Sequence, residues 1–220
     1  DGANTQVGGN TGSLDDGTWR HVAVSVDRSG NAVFYVNGVS DGTGDISARS
    51  GDISNTNLFL IGFKDGDDVG NFPGSMDEVA IYSHAKSPAE IKADYENSPY
   101  TAMIYKDAVG YWHFDSVSET NTTLDSSGNG NNGTLIGFNQ SNATTPGIVS
   151  NGFQFDGLDD FVNLGNDEDF NFGNDTANFS ISLWFKAPDD DRIGSLVSKG
   201  TLGSPPHYGY DILYRADTSG

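Results

Sequence analysis

Short apolar runs, separated by clusters of Gly, Asn, Asp and Ser, recur along the whole chain. From Trp19 to Val39, WRHVAVSVDRSGNAVFYVNGV, the side chains alternate: Arg20, Val22, Val24 and Val26 point one way, Trp19, His21, Ala23 and Ser25 the other. Ser29-Gly30-Asn31 supplies a turn, and Ala32 to Val36 returns as the second strand of a hairpin. Further strands are predicted at Leu58 to Phe63 and Met76 to Tyr82. Ser87-Pro88-Ala89-Glu90 marks a helix start, with Pro in the first turn and an acid facing the dipole, and predicts one short helix to about Tyr95. After NSPYTAMIYK, which has the composition of a linker, strands follow at Val109 to Phe114, Gly133 to Phe138, Phe153 to Phe155, Phe161 to Leu164, Phe179 to Ala187, Ser195 to Lys199 and Tyr208 to Arg215. The pattern predicts an all-β protein, and the two halves do not repeat one another.

Composition agrees: 29 Gly mark the turns, while 13 Phe, 9 Tyr and 3 Trp provide a core. With 31 acidic and 11 basic residues the net charge is -20, which repels nucleic acid and anionic lipid and attracts cations. The absence of Cys excludes disulfides and thiolate metal sites. No apolar run of about 18 residues and no signal-like start occurs, so membrane insertion is not expected.

The stretches GYWHFD, DSSGNGNNGTL, GFQFDGLDDFVNLG and FSISLWFKAP, between Gly110 and Pro188, resemble the opening half of a laminin-G-like domain of the concanavalin A-like lectin/glucanase superfamily. GTWRHVAVSVD, VFYVNGV, LFLIGF and FPGSMDEVAIYSHAKSPAEIKADY, between Gly17 and Tyr95, resemble the closing half of the same domain. The resemblance implies an antiparallel jelly-roll β-sandwich whose halves stand in circularly permuted order. Residues 1–96 would be the C-terminal half, 97–107 a linker, and 108–220 the N-terminal half. Half a sandwich leaves an open sheet edge and an exposed core, so each half needs a complement. That complement comes from the same chain, from a neighbouring copy in a head-to-tail filament, or from adjacent repeats of a longer tandem array. The family also implies one further strand between Tyr208–Arg215 and the loop before GTWRHV, where none is evident, which argues against a clean intramolecular permutation.

Asp125-Ser126-Ser127-Gly128-Asn129-Gly130-Asn131-Asn132-Gly133 offers alternating oxygen ligands and begins like an EF-hand loop, but its twelfth position is Ile136 rather than an acid. The resemblance adds acids on the first and last strands, Asp115 and Asp77, and so implies one Ca2+ held by Asp77, Asp115, Asp125 and Asn129. The competing reading is a plain Asn-Gly turn. Acid clusters at 65–68, 159–160 and 167–169 read as a solvated surface, and Asp156 as a turn former. A Glu-x-Asp-x-Glu strand of the glycoside hydrolase kind is absent, and His21 and His113 alternate with apolar neighbours as packed rather than catalytic residues, so the chain is read as no enzyme.

Tyr208, Tyr210 and Tyr214 share one face of a predicted strand, either as a platform for a sugar ring or as core. Sequons at Asn121, Asn132, Asn139, Asn142, Asn174 and Asn178 fit an extracellular or cell-surface glycoprotein. Two functions follow: a non-catalytic extracellular structural or adhesive repeat unit, completed across its boundaries by copies of itself and stabilised by calcium, or a carbohydrate-binding lectin module of a larger secreted protein that takes glycans.

Overall fold

The computed structural model describes residues 7–12, 14–49, 51–64, 70–97, 105, 107–173, 177–190, 192–200 and 209–215. The first segment carries β1 (Arg20–Val26), β2 (Asn31–Val36), β3 (Val39–Asp45), β4 (Phe59–Ile61), β5 (Gly70–Asn71), β6 (Pro73–Tyr82) and helix α1 (Pro88–Asn97). The second carries β7 (Ala108–Trp112), β8 (Thr122–Thr123), β9 (Gly133–Ile136), β10 (Thr144–Pro146), β11 (Asn151–Asp156), β12 (Phe161–Asn163), a 3₁₀ turn (Glu168–Phe170), β13 (Phe179–Lys186), β14 (Ile193–Gly200) and β15 (Gly209–Arg215).

Local chemistry sets most of these boundaries. The β1–β2 turn closes with the Gly30 N–H on the Asp27 carbonyl at 2.9 Å. Asn37 and Gly38, at φ 49° and 76°, make a two-residue turn into β3, a strand missing from the sequence-based prediction. Helix α1 opens with a reciprocal cap: the Ser87 N–H donates to Glu90 Oε2 at 2.7 Å, and the Glu90 N–H to Ser87 Oγ at 3.3 Å. It runs to Asn97, two residues beyond the expected end.

Two sheets stack as a sandwich, in agreement with the all-β jelly-roll expectation. One has the order β10-β11-β6-β13-β1-β2-β3, with β7 also on β6; the other has β15-β14-β4-β12-β9-β8, with β5 on β14. The segments therefore interleave within one chain. β6 lies with β13 along one edge, while β11 takes residues 73–76 and β7 residues 79–82 of the other edge. β4 lies between β12 and β14. A single apolar core spans both segments, with Phe59 against Phe170 at 4.8 Å between ring centroids and Phe72 edge-on to Phe155, Phe185 and Tyr214. At the join, β15 ends its sheet with β14 as its strand neighbour among the described residues.

Helix α1 covers the outer face of the first sheet, where Ile91 packs on Ala23 and Tyr35. Tyr95 stacks on Trp184 and meets His21. Beside them Lys86 Nζ bonds both oxygens of Asp94, at 2.7 and 2.6 Å, with all the charged atoms buried. His21 is thus enclosed on the helix-covered face, its Nδ1 without a hydrogen-bond partner among the described residues. Burial, helped by the nearby Lys86 charge, lowers its pKa from the ordinary value to about 3.

Phe72 is fully buried and touches three rings of the second segment, so Phe72→Ala should cost about 3–5 kcal/mol. Urea unfolding followed by fluorescence should still show one transition for both segments, whereas Val39→Ala, at a 70 % exposed position, should shift stability by no more than about 0.5 kcal/mol.

A base with a depressed folded pKa contributes stability that is complete above its unfolded pKa and is lost as pH falls. His21 should therefore weaken the fold from about pH 6.5 down to about pH 3, with a slope of up to ~1.4 kcal/mol per pH unit. Urea midpoints measured from pH 7 to pH 4 should fall less steeply for His21→Phe than for the wild type; parallel profiles would refute the assignment.

Candidate functional site

The segments meet at β6 and β7, where alternation fails. Met76 and Val79 both join the core, leaving two consecutive acids, Asp77 and Glu78, between them. The β6–β13 register slips at this point, and Glu78 adopts φ 53°, a bulge that removes both carboxylates from the core side. Both acids are nonetheless buried, at 0 % and 2 % exposure.

Glu78 is fully engaged by the second segment. Its Oε1 meets His113 Nδ1 at 3.0 Å, and Oε2 accepts the Tyr111 hydroxyl. Tyr105, stacked on Tyr111 with centroids 3.6 Å apart, also hydrogen-bonds the carboxylate. Burial pushes the Glu78 pKa up while His113 opposes the rise; the same hydrogen bond raises His113, whose side chain is 41 % exposed.

Asp77 is engaged on one oxygen only. Its Oδ2 accepts the N–H groups of Ile148 and Val149 at 2.8 and 3.0 Å, while buried Oδ1 has no hydrogen-bond partner among the described residues. Burial is the main cause of a pKa pushed up to about 7, and Glu78 and Asp115 add to it against the two backbone bonds. Asp115 holds the same loop at Asn151, accepting its N–H at 2.9 Å. The close approach requires Gly147, because a Cβ there would stand 2.5 Å from Asp77 Oδ2.

Of the four residues expected to share a cation, Asp77 and Asp115 come together around residues 147–151, and Asp125 and Asn129 lie elsewhere. Asp125 Oδ1 accepts the N–H groups of Tyr111 and Ser127, and its Oδ2 accepts the Asn131 N–H and the Ser127 hydroxyl. Asn129 Nδ2 donates to the carbonyls of Ala108 and Val109 at 3.0 Å. That loop is fastened to β7 near residues 108–111, while Asp115 lies beyond the end of β7 and bonds the Asn151 N–H instead. Among the described residues, the three acids whose carboxylates converge are Asp156, Asp159 and Asp160. Asp156 Oδ1 there accepts the N–H groups of Leu158 and Asp159, as expected of a turn former, and burial beside the other two acids pushes Asp160 up to about 6.

The predicted sugar platform requires correction. Tyr210 sits against Phe179, Phe172 and Phe59 and donates its hydroxyl to the Phe170 carbonyl at 3.0 Å. Tyr214 is packed on Phe72 and Phe185. Alternate residues of β15 face the core, which buries the Tyr214 ring between the sheets and packs the half-buried Tyr210 ring against them; Tyr208 lies outside the described residues. Asn121, Asn132, Asn139 and Asn142 are exposed, Asn178 is half-buried with its Oδ1 on the Arg28 N–H, and Asn174 lies outside the described residues.

Sequence reasoning missed Glu78, Tyr105 and Tyr111. The available signal was the pair of adjacent acids in Met-Asp-Glu-Val, which breaks the period of two inside an apolar strand. Tyr111→Phe should remove a donor from a buried carboxylate and cost about 1–3 kcal/mol by urea denaturation. Ser127→Ala, in the partly exposed loop, should cost less than that.

Comparison with known proteins places the first segment. No curated protein and no solved structure matches the chain. Residues 1–92, which hold β1 to β6 and the start of α1, match the family model Laminin_G_3, the concanavalin A-like lectin/glucanases superfamily.

Proposed function

We propose that this chain is a non-catalytic extracellular adhesive or structural unit, one of an array of copies, whose two segments are fastened at β6 and β7 by a calcium ion. The fold and the match over residues 1–92 support an extracellular carbohydrate-binding or adhesive module. The observation that carries the finer reading is Asp77 Oδ1, a carboxylate oxygen buried without a partner among the described residues and backed by Asp115 and Glu78 in a chain of net charge -20. An unmatched buried acceptor costs about 1–3 kcal/mol, and a hard cation that takes oxygen ligands relieves both this cost and the repulsion between acids. Asp77 and Asp115 would hold it. Glu78, already bonded to Tyr111 and His113, would orient the strand rather than ligate. Asp125 and Asn129 would secure the start of β7 through hydrogen bonds alone.

Carbohydrate binding is the second reading. With Tyr210 and Tyr214 in the core, the feature that favours it is a groove of about 430 Å³ at the ends of β6, β11 and β13, lined in part by Gly74, Ser75, Gln154, Asp156 and Lys186. Sugar binding on a glycan array that disappears with Lys186→Ala would favour this reading over the adhesive one.

Calcium binding to the folded state alone should add about 2.7 kcal/mol at a hundredfold excess over Kd. Calorimetry at fixed ionic strength should show a higher Tm with calcium than with chelator, and Asp77→Asn should abolish the difference while keeping the β-sheet circular dichroism. Superimposable wild-type curves would exclude the ion.

A further inference from the structure

We infer that the protein exchanges whole segments between two copies of itself, with β4 and β6 of one copy entering the sheets of the other. β4, β5 and β6 have no strand neighbour in their own segment among the described residues: β4 pairs with β12 and β14, β5 with β14, and β6 with β7, β11 and β13. The second segment by itself has two lanes one strand wide, between β11 and β13 in one sheet and between β12 and β14 in the other. Without the first segment β7 and β13 have no sheet partner either. Each segment is thus a donor and an acceptor of strands, and the surface each offers fits the other.

The occupant is a second copy because every copy carries identical donor strands, and exchange preserves all of these pairings. Helix α1 travels with the first segment, held by Ile91 on Ala23 and Tyr35 and by Lys86 on Asp94. Tyr105 travels with the second segment, stacked on Tyr111 and accepting the Ala108 N–H on its carbonyl. Linkage within one chain gives the segments an effective concentration of roughly millimolar order, so the closed monomer dominates in dilute solution and exchange grows as the protein approaches that concentration. This inference is independent of calcium, since the interleaved pairing exists without an ion.

The chain has no Cys, so engineered pairs report exchange cleanly. Ala80 on β6 faces Ser182 on β13, and directly paired antiparallel residues stand about 4.5–5.5 Å apart, within the span of a disulfide. A full-length chain with both Ala80→Cys and Ser182→Cys should close a disulfide within itself. Full-length chains carrying one substitution each, unfolded, mixed and refolded together at roughly millimolar concentration under oxidised glutathione, should give a covalent dimer on a non-reducing gel. Its yield should exceed that from either single variant refolded alone by at least about tenfold. If the double variant closes internally while the mixture gives no more dimer than the single variants, exchange does not occur. The Ile81 and Ile181 pair, facing the core, repeats the measurement, so that exchange is still tested where the first pair fails to oxidise.

Discussion

Everything in this molecule depends on β6 having strand neighbours on both edges. All ten of its residues are buried, and among the described residues none of its strand partners comes from its own segment. A buried strand with unpaired N–H and C=O groups is untenable, because each unsatisfied group costs as much as a lost hydrogen bond. β6 therefore exists as a strand only when β13 and the β7/β11 edge are already beside it. Cooperativity between residues that are distant in sequence follows from this requirement, as does the single core in which Phe72 and Phe59 of one segment fill space between rings of the other.

The few basic residues brace this arrangement. Arg28, at 3 % exposure, spends its guanidinium on the carbonyls of Phe172 and Arg49. Lys199 Nζ joins the Asn57 carbonyl to Asn166 Oδ1, and Lys64 pairs with Asp211. Each of these three bridges the two segments from a buried position, while Lys92 and Arg192 stay exposed. Burial costs a charge its hydration, and here carbonyl and carboxylate oxygens replace that hydration with short, directed contacts.

At the seam the logic is reversed, because acids are buried. Glu78 is satisfied by two tyrosines and a histidine. Asp77, one residue away, has two backbone donors on one oxygen and none on the other. Two adjacent carboxylates with unequal environments define the candidate site, and the bulge at Glu78 is the backbone feature that makes the inequality possible.

Period-two alternation determined β1 of the β1–β2 hairpin, turn chemistry its reversal and the capped helix, and a short apolar run after Gly74 the strand at 76–82, because each is encoded within a few neighbouring residues. The Asn37-Gly38 turn is equally legible, but the strand that follows it, VSDGTGD, is too polar to signal β3. The family resemblance singled out Asp77 and Asp115, whose carboxylates accept N–H groups of residues 148–151. Only the tertiary structure decided that the two segments interleave within one chain, that β15 turns Tyr210 and Tyr214 inward, and that Asp125 spends its oxygens on backbone N–H groups and a serine hydroxyl instead of joining Asp77. The reason is common to all three: alternation fixes which residues share a face but not which sheet covers that face, and a carboxylate's partners are set by what the fold brings within hydrogen-bonding reach. Such contacts span separations in sequence of 150 residues between Arg28 and Asn178, and more between the Gly17 N–H and the Ala187 carbonyl.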